Sequence, residues 1–169
     1  VREKGILQPI VVRPVAGEAN AFEIVAGERR WRAAQAAQLH QVPVIVKELT
    51  DAESLEIAII ENVQRADLNA VEEAAGYERL MQQFDYTQEK LSKLIGKSRS
   101  HVANTLRLLS LPEGVRGLIE EGKLSAGQAR PLIGHERAEE FAREIVAKGL
   151  SAREAEALTR KSEAPAQAG

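Results

Sequence analysis

The stretch TQEKLSKLIGKSRSHVANTLRLL, residues 87–109, decides the fold of the second half of the chain. Thr87 and Ser98 are residue types that cap helix N-termini, and apolar residues follow each of them at helical spacing. Gly96 lies between the two segments and supplies the backbone freedom that a turn of three or four residues needs. The pattern predicts two short helices joined by a tight turn, a helix-turn-helix over residues 87–109.

The first turns and outer side of the second predicted helix carry polar residues that suit contact with DNA. Arginine can bond guanine, asparagine can bond adenine, and serine or threonine can bond a base or a phosphate. Lys97 and the amides at the helix start suit a phosphate. We therefore predict sequence-specific binding of a DNA duplex, by a dimer on two half-sites; the alternative is a helical hairpin whose polar face is only solvated. The candidate DNA-binding residues of this segment are Lys97, Ser98, Arg99, Ser100, His101, Asn104, Thr105 and Arg107.

The distribution of charge favours DNA binding, although the 169-residue chain has a formal net charge of −2. Residues 51–85 contain nine acidic and two basic side chains, whereas residues 86–110 contain five basic and one acidic. DNA affinity depends on the charge of the contacting face, not on the sum over the chain.

The chain has no cysteine, which excludes disulfides and thiolate chemistry. With no cysteine and only three histidines, a zinc site is not expected.

The first fifty residues alternate strand and helix patterns, and every periodic segment after Asp51 is helical. Residues 10–12, 22–25 and 42–46 read as strands, and residues 28–39 as an alanine-rich helix. We predict an α+β fold: a small mixed-sheet N-terminal domain at residues 1–68, an all-helical DNA-binding domain at 69–161, and a linker or tail at 162–169. The helix that begins at Asp51 is expected to carry Leu55, Ile59 and Ile60 inward.

The ends of the chain and its hydropathy give two further expectations. The chain begins at Val1 and ends in a stretch rich in alanine, so we expect a piece of a longer protein. No apolar run approaches the roughly 18 residues of a membrane span, and no signal peptide is evident, so a cytoplasmic location is expected.

A second candidate site lies where the strand at residues 22–25 meets the following helix. Gly27 permits close approach, and the amides of the helix start with Arg29 and Arg30 form a plausible anion cradle. Glu61 and Asn62 offer the hard oxygen ligands that suit Mg²⁺. From these residues alone a nucleotide triphosphate site and a merely solvated arginine pair both stay open. Neither a P-loop nor a dinucleotide fingerprint is present.

Three segments stand out together: GILQPIVV at residues 5–12, GERRWRAA at 27–34 and ENVQRADLN at 61–69. In this order they closely resemble the signature boxes of the ParB family of bacterial chromosome-partition proteins. The helix-turn-helix and SAGQAR at residues 125–130 are similar to that family as well. The resemblance covers nearly the whole chain.

The resemblance implies much more than the residues do. Members of the ParB family bind the palindromic site parS on double-stranded DNA, and they bind CTP with Mg²⁺. Nucleotide binding closes the homodimer into a clamp that slides along DNA, and slow, regulatory CTP hydrolysis resets it. The implied location is the cytoplasm, on the nucleoid, and the implied partner is a ParA-type ATPase that meets a segment outside this chain.

Site roles are carried over by motif. Glu61 would orient the attacking water or act through Mg²⁺, and Glu61 and Asn62 would bind the metal. Arg99, Thr105 and Gly127 would lie where parS is discriminated, with Arg130 near the backbone or groove. The nucleotide-binding residues would be Gly5, Gln8, Gly27, Glu28, Arg29, Arg30, Glu61, Asn62 and Arg65.

The sequence departs from the family pattern at two positions, and it admits other functions. The family usually has proline at position 70 and often glycine at 38, where this chain has Ala70 and Gln38, so the hinge before Ala70 is expected to be less stiff.

The main alternative function is a plain helix-turn-helix transcriptional regulator without nucleotide switching. A nuclease-like enzyme is a third class, and it would need acidic ligands clustered with Glu61.

Overall fold

The computed structural model describes residues 8–163. The chain divides into two compact units, Val1–Asn62 and Val63–Gly169. The boundary between these units falls near the end of the helix that begins at Asp51. The domain boundary after residue 68, which the motifs indicate, stays a prediction.

The first unit is a small mixed sheet with helices. Its elements are β1 (Ile10–Pro14), β2 (Phe22–Ala26), α1 (Glu28–Ala36), β3 (Val44–Val46) and α2 (Asp51–Val63). Strand β1 is central: it pairs antiparallel with β2, where Val12 faces Ile24, and parallel with β3, where Ile10 faces Val44. The predicted α+β fold with a mixed sheet is confirmed.

The interior of the first unit is built from few residues. Ile10, Val12, Val25 and Ala34 are buried, and so is Ile59 on α2. The prediction that Leu55 points inward is wrong, because its side chain is 40% exposed. Leu55 and Ile60 lie about 140° apart around a helix of 3.6 residues per turn, which is wider than one buried stripe.

Arg13 joins three elements of the first unit. Its guanidinium on β1 bonds the carboxylates of Glu23 on β2 at 2.7 Å and Asp51 at the start of α2 at 2.8 Å. Hydrogen bonds to Glu23 and then Asp51 raise the pKa of Arg13. No local sequence pattern indicates this contact, because its partners are distant along the chain.

The second unit is entirely helical in its described residues, as predicted. Short 3₁₀ turns at Leu108–Ser110 and Arg130–Leu132 separate some of the helices. None of the helices in the described part of the chain has the length and apolar character that a membrane crossing needs. The helices are α3 (Ala70–Phe84), α4 (Gln88–Ile95), α5 (Arg99–Arg107), α6 (Glu113–Glu120), α7 (Ala126–Ala129), α8 (Ala138–Lys148) and α9 (Ala152–Glu163).

One apolar core runs through most of the second unit. It begins with Val71 on α3, includes Leu108 and Phe141, and reaches Ala155 on α9. The full set of buried core residues is Val71, Leu108, Leu111, Val115, Ile119, Leu124, Ala129, Leu132, Ala138, Phe141, Ala142, Ile145 and Ala155. The helix-turn-helix is therefore part of a larger helical unit and not an isolated hairpin.

Candidate nucleotide site and DNA interface

The turn from β2 into α1 forms the centre of the candidate nucleotide site. Gly27 has φ 101°, a left-handed conformation that favours glycine, and it precedes the first residue of α1. Its N–H donates to both carboxylate oxygens of Glu61, each at 3.1 Å. A carboxylate on α2 thus lies against an amide at a helix N-terminus, the kind of position that anions favour.

Arg30 ties the same turn to the segment before β1. Its Nη1 donates to the backbone oxygen of Pro9 at 2.7 Å and to that of Gln8 at 3.3 Å. The fold therefore brings together residues from three distant segments, namely Gln8, Gly27 with Arg30, and Glu61. The structure unites residues from all three sequence boxes at one corner of the first unit.

The other predicted residues of this site surround that corner or lie beyond it. Arg29 is exposed, and Glu28 is exposed and pairs with Arg32 at 3.2 Å along α1. Asn62 is exposed at the end of the first unit. Gly5 lies outside the described residues.

Arg65 belongs to the second unit and is engaged there. Its guanidinium bonds both oxygens of Asp67, Nη2 at 2.7 Å and Nε at 3.0 Å. These hydrogen bonds raise the pKa of Arg65, so the guanidinium stays charged. A ligand phosphate at Arg65 would have to share or displace Asp67.

The oxygens of Glu61 and Asn62 fit Mg²⁺ in chemical type. Neighbouring residues on a helix point in different directions, so this pair does not enclose an ion by itself. Within residues 8–163, no three His, Asp or Glu side chains come close enough to hold a metal ion. Mg²⁺ commonly takes one or two protein ligands and completes its shell with substrate phosphates and water.

Helices α4 and α5 form the predicted helix-turn-helix. The Thr87 hydroxyl accepts from Lys90 N–H at 3.1 Å, and the Ser98 hydroxyl accepts from His101 N–H at 3.0 Å. Gly96 ends α4 at φ 67°, so the turn forms where the sequence placed it. Leu91 and Val102 are fully buried between the elements.

The start of α5 presents a cationic and polar surface. Lys97, Ser98, Arg99, Ser100 and Arg107 are exposed, and Asn104 on the same helix is half-buried. Lys97 and Arg99 form no ion pair with a described residue. This surface has the charge and hydrogen-bonding groups that DNA contact needs.

The expected outward position of Thr105 is wrong, and His101 is turned partly inward. Thr105 is only 6% exposed, because it follows the buried Val102 by three positions and so lies on the same face of the helix. The Nε2 atom of His101 lies 2.9 Å from a carboxylate oxygen of Glu73 on α3, and that oxygen also accepts from the hydroxyl of Tyr77. No local sequence pattern indicates Glu73 or Tyr77 as part of this contact, because both lie far from His101 along the chain.

Gly127 and Arg130 lie in elements separate from α5. Gly127 is exposed in α7, where a Cβ would meet the methyl of Ala152 at 3.6 Å. Arg130 is exposed at the start of the 3₁₀ turn Arg130–Leu132. Their predicted roles at DNA stay predictions.

Comparison with protein families gives two matches that together span most of the chain. Residues 1–63 match the ParB N-terminal domain, and residues 66–164 match the ParB HTH domain. The chain belongs to the ParB family. The resemblance of the sequence boxes is thereby confirmed.

Individual ParB proteins are similar along nearly the whole chain. The chromosome-partitioning protein ParB of Caulobacter vibrioides is 56% identical over 96% of this chain and 53% of its own length. The ParB of Myxococcus xanthus is 48% identical over 96% of this chain and 55% of its own length. The chain thus spans about half the length of the curated relatives it matches.

Two solved ParB structures share the fold. C-terminally truncated ParB from Caulobacter crescentus, complexed to the centromeric parS site, superposes with a TM-score of 0.83 at 56% identity, over 92% of this chain and 83% of that chain. A ParB DNA-binding domain complexed to parS gives 0.58 at 53% identity, over 68% of this chain and 93% of that chain.

Proposed function

We propose that the chain is the nucleotide-binding and DNA-reading part of a chromosome-partition protein that binds parS and switches a DNA clamp with CTP. The observation that carries DNA binding is the exposed, cationic start of α5 behind the Ser98 cap. The similarity to ParB complexed to parS, at a TM-score of 0.83, supports the same target. Binding by a homodimer and contact with a ParA-type ATPase belong to this proposal.

Nucleotide binding rests on the corner that joins the three sequence boxes. The Gly27 amide, the start of α1 and the exposed Arg29 offer donors and positive charge to a triphosphate. The choice of CTP among nucleotides comes from the family resemblance of those boxes. Mg²⁺, when bound with the nucleotide, would neutralise phosphate charge and polarise the bond that breaks.

In this proposal the Glu61 carboxylate occupies one position before the nucleotide binds and another afterwards. Its carboxylate bonds the Gly27 N–H, the same amide that a phosphate would use. Binding of the triphosphate therefore requires Glu61 to leave that amide. The released carboxylate can then orient a water molecule or bind the metal, which makes slow hydrolysis depend on the same movement.

Calorimetry with Mg²⁺ and CTP, run beside ATP, GTP and UTP, tests nucleotide binding. We expect selective binding of CTP and its loss in Arg29→Ala. Arg32→Ala is the matched control, since Arg32 lies on the same helix and pairs with Glu28. Arg30→Ala is a second variant, and it needs a melting curve because Arg30 also holds the backbone of Gln8 and Pro9. Binding of all four nucleotides alike, or of none, contradicts the proposal and favours a plain regulator.

Glu61→Gln separates binding from hydrolysis. The variant keeps the size of the side chain and removes its charge, so CTP binding is expected to persist while phosphate release falls about 100-fold or more. Phosphate release at the wild-type rate would remove Glu61 from the hydrolysis step.

DNA reading is tested by fluorescence anisotropy with a parS duplex and a scrambled duplex at the same salt concentration. Arg99→Ala is expected to lower affinity for parS more than affinity for the scrambled duplex. Equal affinity of the wild-type chain for both duplexes would contradict sequence-specific reading.

A further inference from the structure

Glu73 and Tyr77 form a polar pair directly behind the start of α5. Glu73 Oε1 lies 2.9 Å from Nε2 of His101 and accepts a hydrogen bond from the Tyr77 hydroxyl. The Glu73 side chain is 21% exposed, and Tyr77 is buried. Two contacts thus fix one carboxylate oxygen of α3 against a residue of the reading helix.

The chemistry of these groups decides which ring nitrogen of His101 carries a proton. An ionised carboxylate only accepts hydrogen bonds, so the nitrogen that faces Glu73 has to be Nε2–H. In the neutral ring, Nδ1 is then an acceptor. The Thr105 hydroxyl lies 3.5 Å from Nε2, and Nδ1 makes no hydrogen bond to any residue from 8 to 163.

Tyr77 keeps Glu73 in place across the neutral pH range. Burial, and then the hydrogen bond to Glu73, raise the pKa of Tyr77 well above its ordinary value. The phenol therefore remains a donor, and it donates its hydrogen bond to Glu73. Glu73 in turn stays aimed at His101, whose side chain is 38% exposed.

We propose that Glu73, fixed by Tyr77, is a positioning residue for DNA reading: it holds His101 as the Nε2–H tautomer and leaves Nδ1 to face the duplex as an acceptor. This inference rests on the proposed function of α5 as the reading helix. In the major groove the base-edge donors are the amino groups of adenine and cytosine. His101 would therefore discriminate base pairs by an amino group, while Glu73 never touches DNA.

The arrangement can be tested without DNA. Nitrogen-15 NMR of the histidine rings at about pH 8, above the ordinary histidine pKa, reports which nitrogen carries the proton. We expect His101 to show Nε2–H alone in the wild-type chain and in Glu73→Gln, whose amide oxygen still accepts. Exchange between tautomers is expected in Glu73→Ala. A proton on Nδ1 in the wild-type chain overturns the inference.

The consequence for reading is tested by the ratio of affinities for parS and scrambled duplexes. We expect Glu73→Ala to lower this ratio about fivefold or more, Glu73→Gln to retain most of it, and His101→Gln to lower it, because the glutamine amide replaces Nε2–H but not Nδ1. Glu78→Ala, which removes an exposed carboxylate of the same helix, is the control and should leave the ratio unchanged.

The outcomes separate this inference from the proposed function. If the wild-type chain binds parS selectively and Glu73→Ala keeps that selectivity while melting at the same temperature, the inference is wrong and the proposed function stands. If Glu73→Gln behaves like Glu73→Ala, Glu73 acts through its charge, and the tautomer explanation is overturned. If the wild-type chain prefers neither duplex, the proposed function fails, and the reading role of His101 fails with it.

Discussion

Helix α1 ends in two backbone hydrogen bonds that wrap its last turn. Leu39 N–H bonds Ala34 O and Gln38 N–H bonds Gln35 O, both at 3.0 Å. This is the Schellman arrangement, in which the residue at position 38 is left-handed and is usually glycine. Gln38 has φ 56°. This left-handed backbone favours glycine, the residue that the family resemblance led us to expect at position 38.

We predict that Gln38→Gly stabilises the chain by about 1 kcal/mol, because glycine has no Cβ to strain the left-handed backbone. Gln38→Ala is the matched control: it shortens the side chain but keeps the Cβ, so its stability should stay within about 0.5 kcal/mol of the wild type. Urea unfolding measures both. Equal stability of the glycine and alanine variants would show that position 38 is not strained.

Two glycines inside helices predict opposite responses to alanine. A Cβ on Gly76 in α3 would overlap Cγ1 of Val63, whereas a Cβ on Gly117 in α6 would have nothing within 4 Å. We expect Gly76→Ala to destabilise by about 1–3 kcal/mol through overpacking, and Gly117→Ala to stabilise by about 0.5–1 kcal/mol through helix propensity. Thermal melts measure both, and recovery of stability in Gly76→Ala with Val63→Ala would identify the contact. A stabilising Gly76→Ala contradicts this packing.

At the scale of elements, the start of α3 is unusually well defined. The Asn69 side chain accepts from Glu72 N–H at 2.8 Å, and the Glu72 carboxylate accepts from Asn69 N–H at 3.1 Å. Ala70 is the first helical residue, and Asn69 before it is extended, with φ −74° and ψ 165°. A proline at position 70 is compatible with this geometry, because proline fits the first helical position and the residue before it prefers an extended backbone.

We predict that Ala70→Pro stabilises the chain by about 0.4–1 kcal/mol, because proline restricts the unfolded chain and fits the first helical position. Asn69→Ala should do the reverse and cost about 1 kcal/mol through loss of the cap. Denaturant unfolding measures both variants. A destabilising Ala70→Pro would mean that the N–H of Ala70 has a partner that the helix start requires.

The elements could be predicted from sequence wherever the signal is local. The caps at Thr87 and Ser98 and the turn at Gly96 involve residues within a few positions of each other, and these predictions are confirmed. The burial of Thr105 and the exposure of Leu55 depend on which side of a helix meets its neighbour. That choice is made by tertiary packing, so periodicity alone could not settle it.

At the scale of the whole molecule, the site residues show the same contrast. The sequence boxes at residues 27–34 and 61–69 indicate Gly27 and Glu61 as site residues, but only the fold shows that the two are hydrogen-bonded. The Glu73–His101 contact joins residues 28 positions apart, and no spacing rule connects them.

The charge pattern of the molecule predicts a salt-dependent DNA affinity. Lys97 lies exposed at the turn before α5, and we expect it to contact a phosphate. Lys97→Gln should therefore lower the slope of log affinity against log salt by about one, similarly for parS and scrambled duplexes. Lys148→Gln is the control, since Lys148 pairs with Glu144 at 2.6 Å on α8. Fluorescence anisotropy at several salt concentrations measures the slope, and an unchanged slope in Lys97→Gln removes that contact.

The core of the second unit limits where the reader can be cut from the chain. Ala155 on the last helix is fully buried in the same cluster as Val71 in the first turn of α3. A fragment that stops before Ser151 would lose α9, which packs against α7 and α8, and would open to water the buried cluster that also contains Phe141 and Ile145. Transplanting this DNA-reading function into another protein therefore requires the whole helical unit, through α9, as its smallest portable piece.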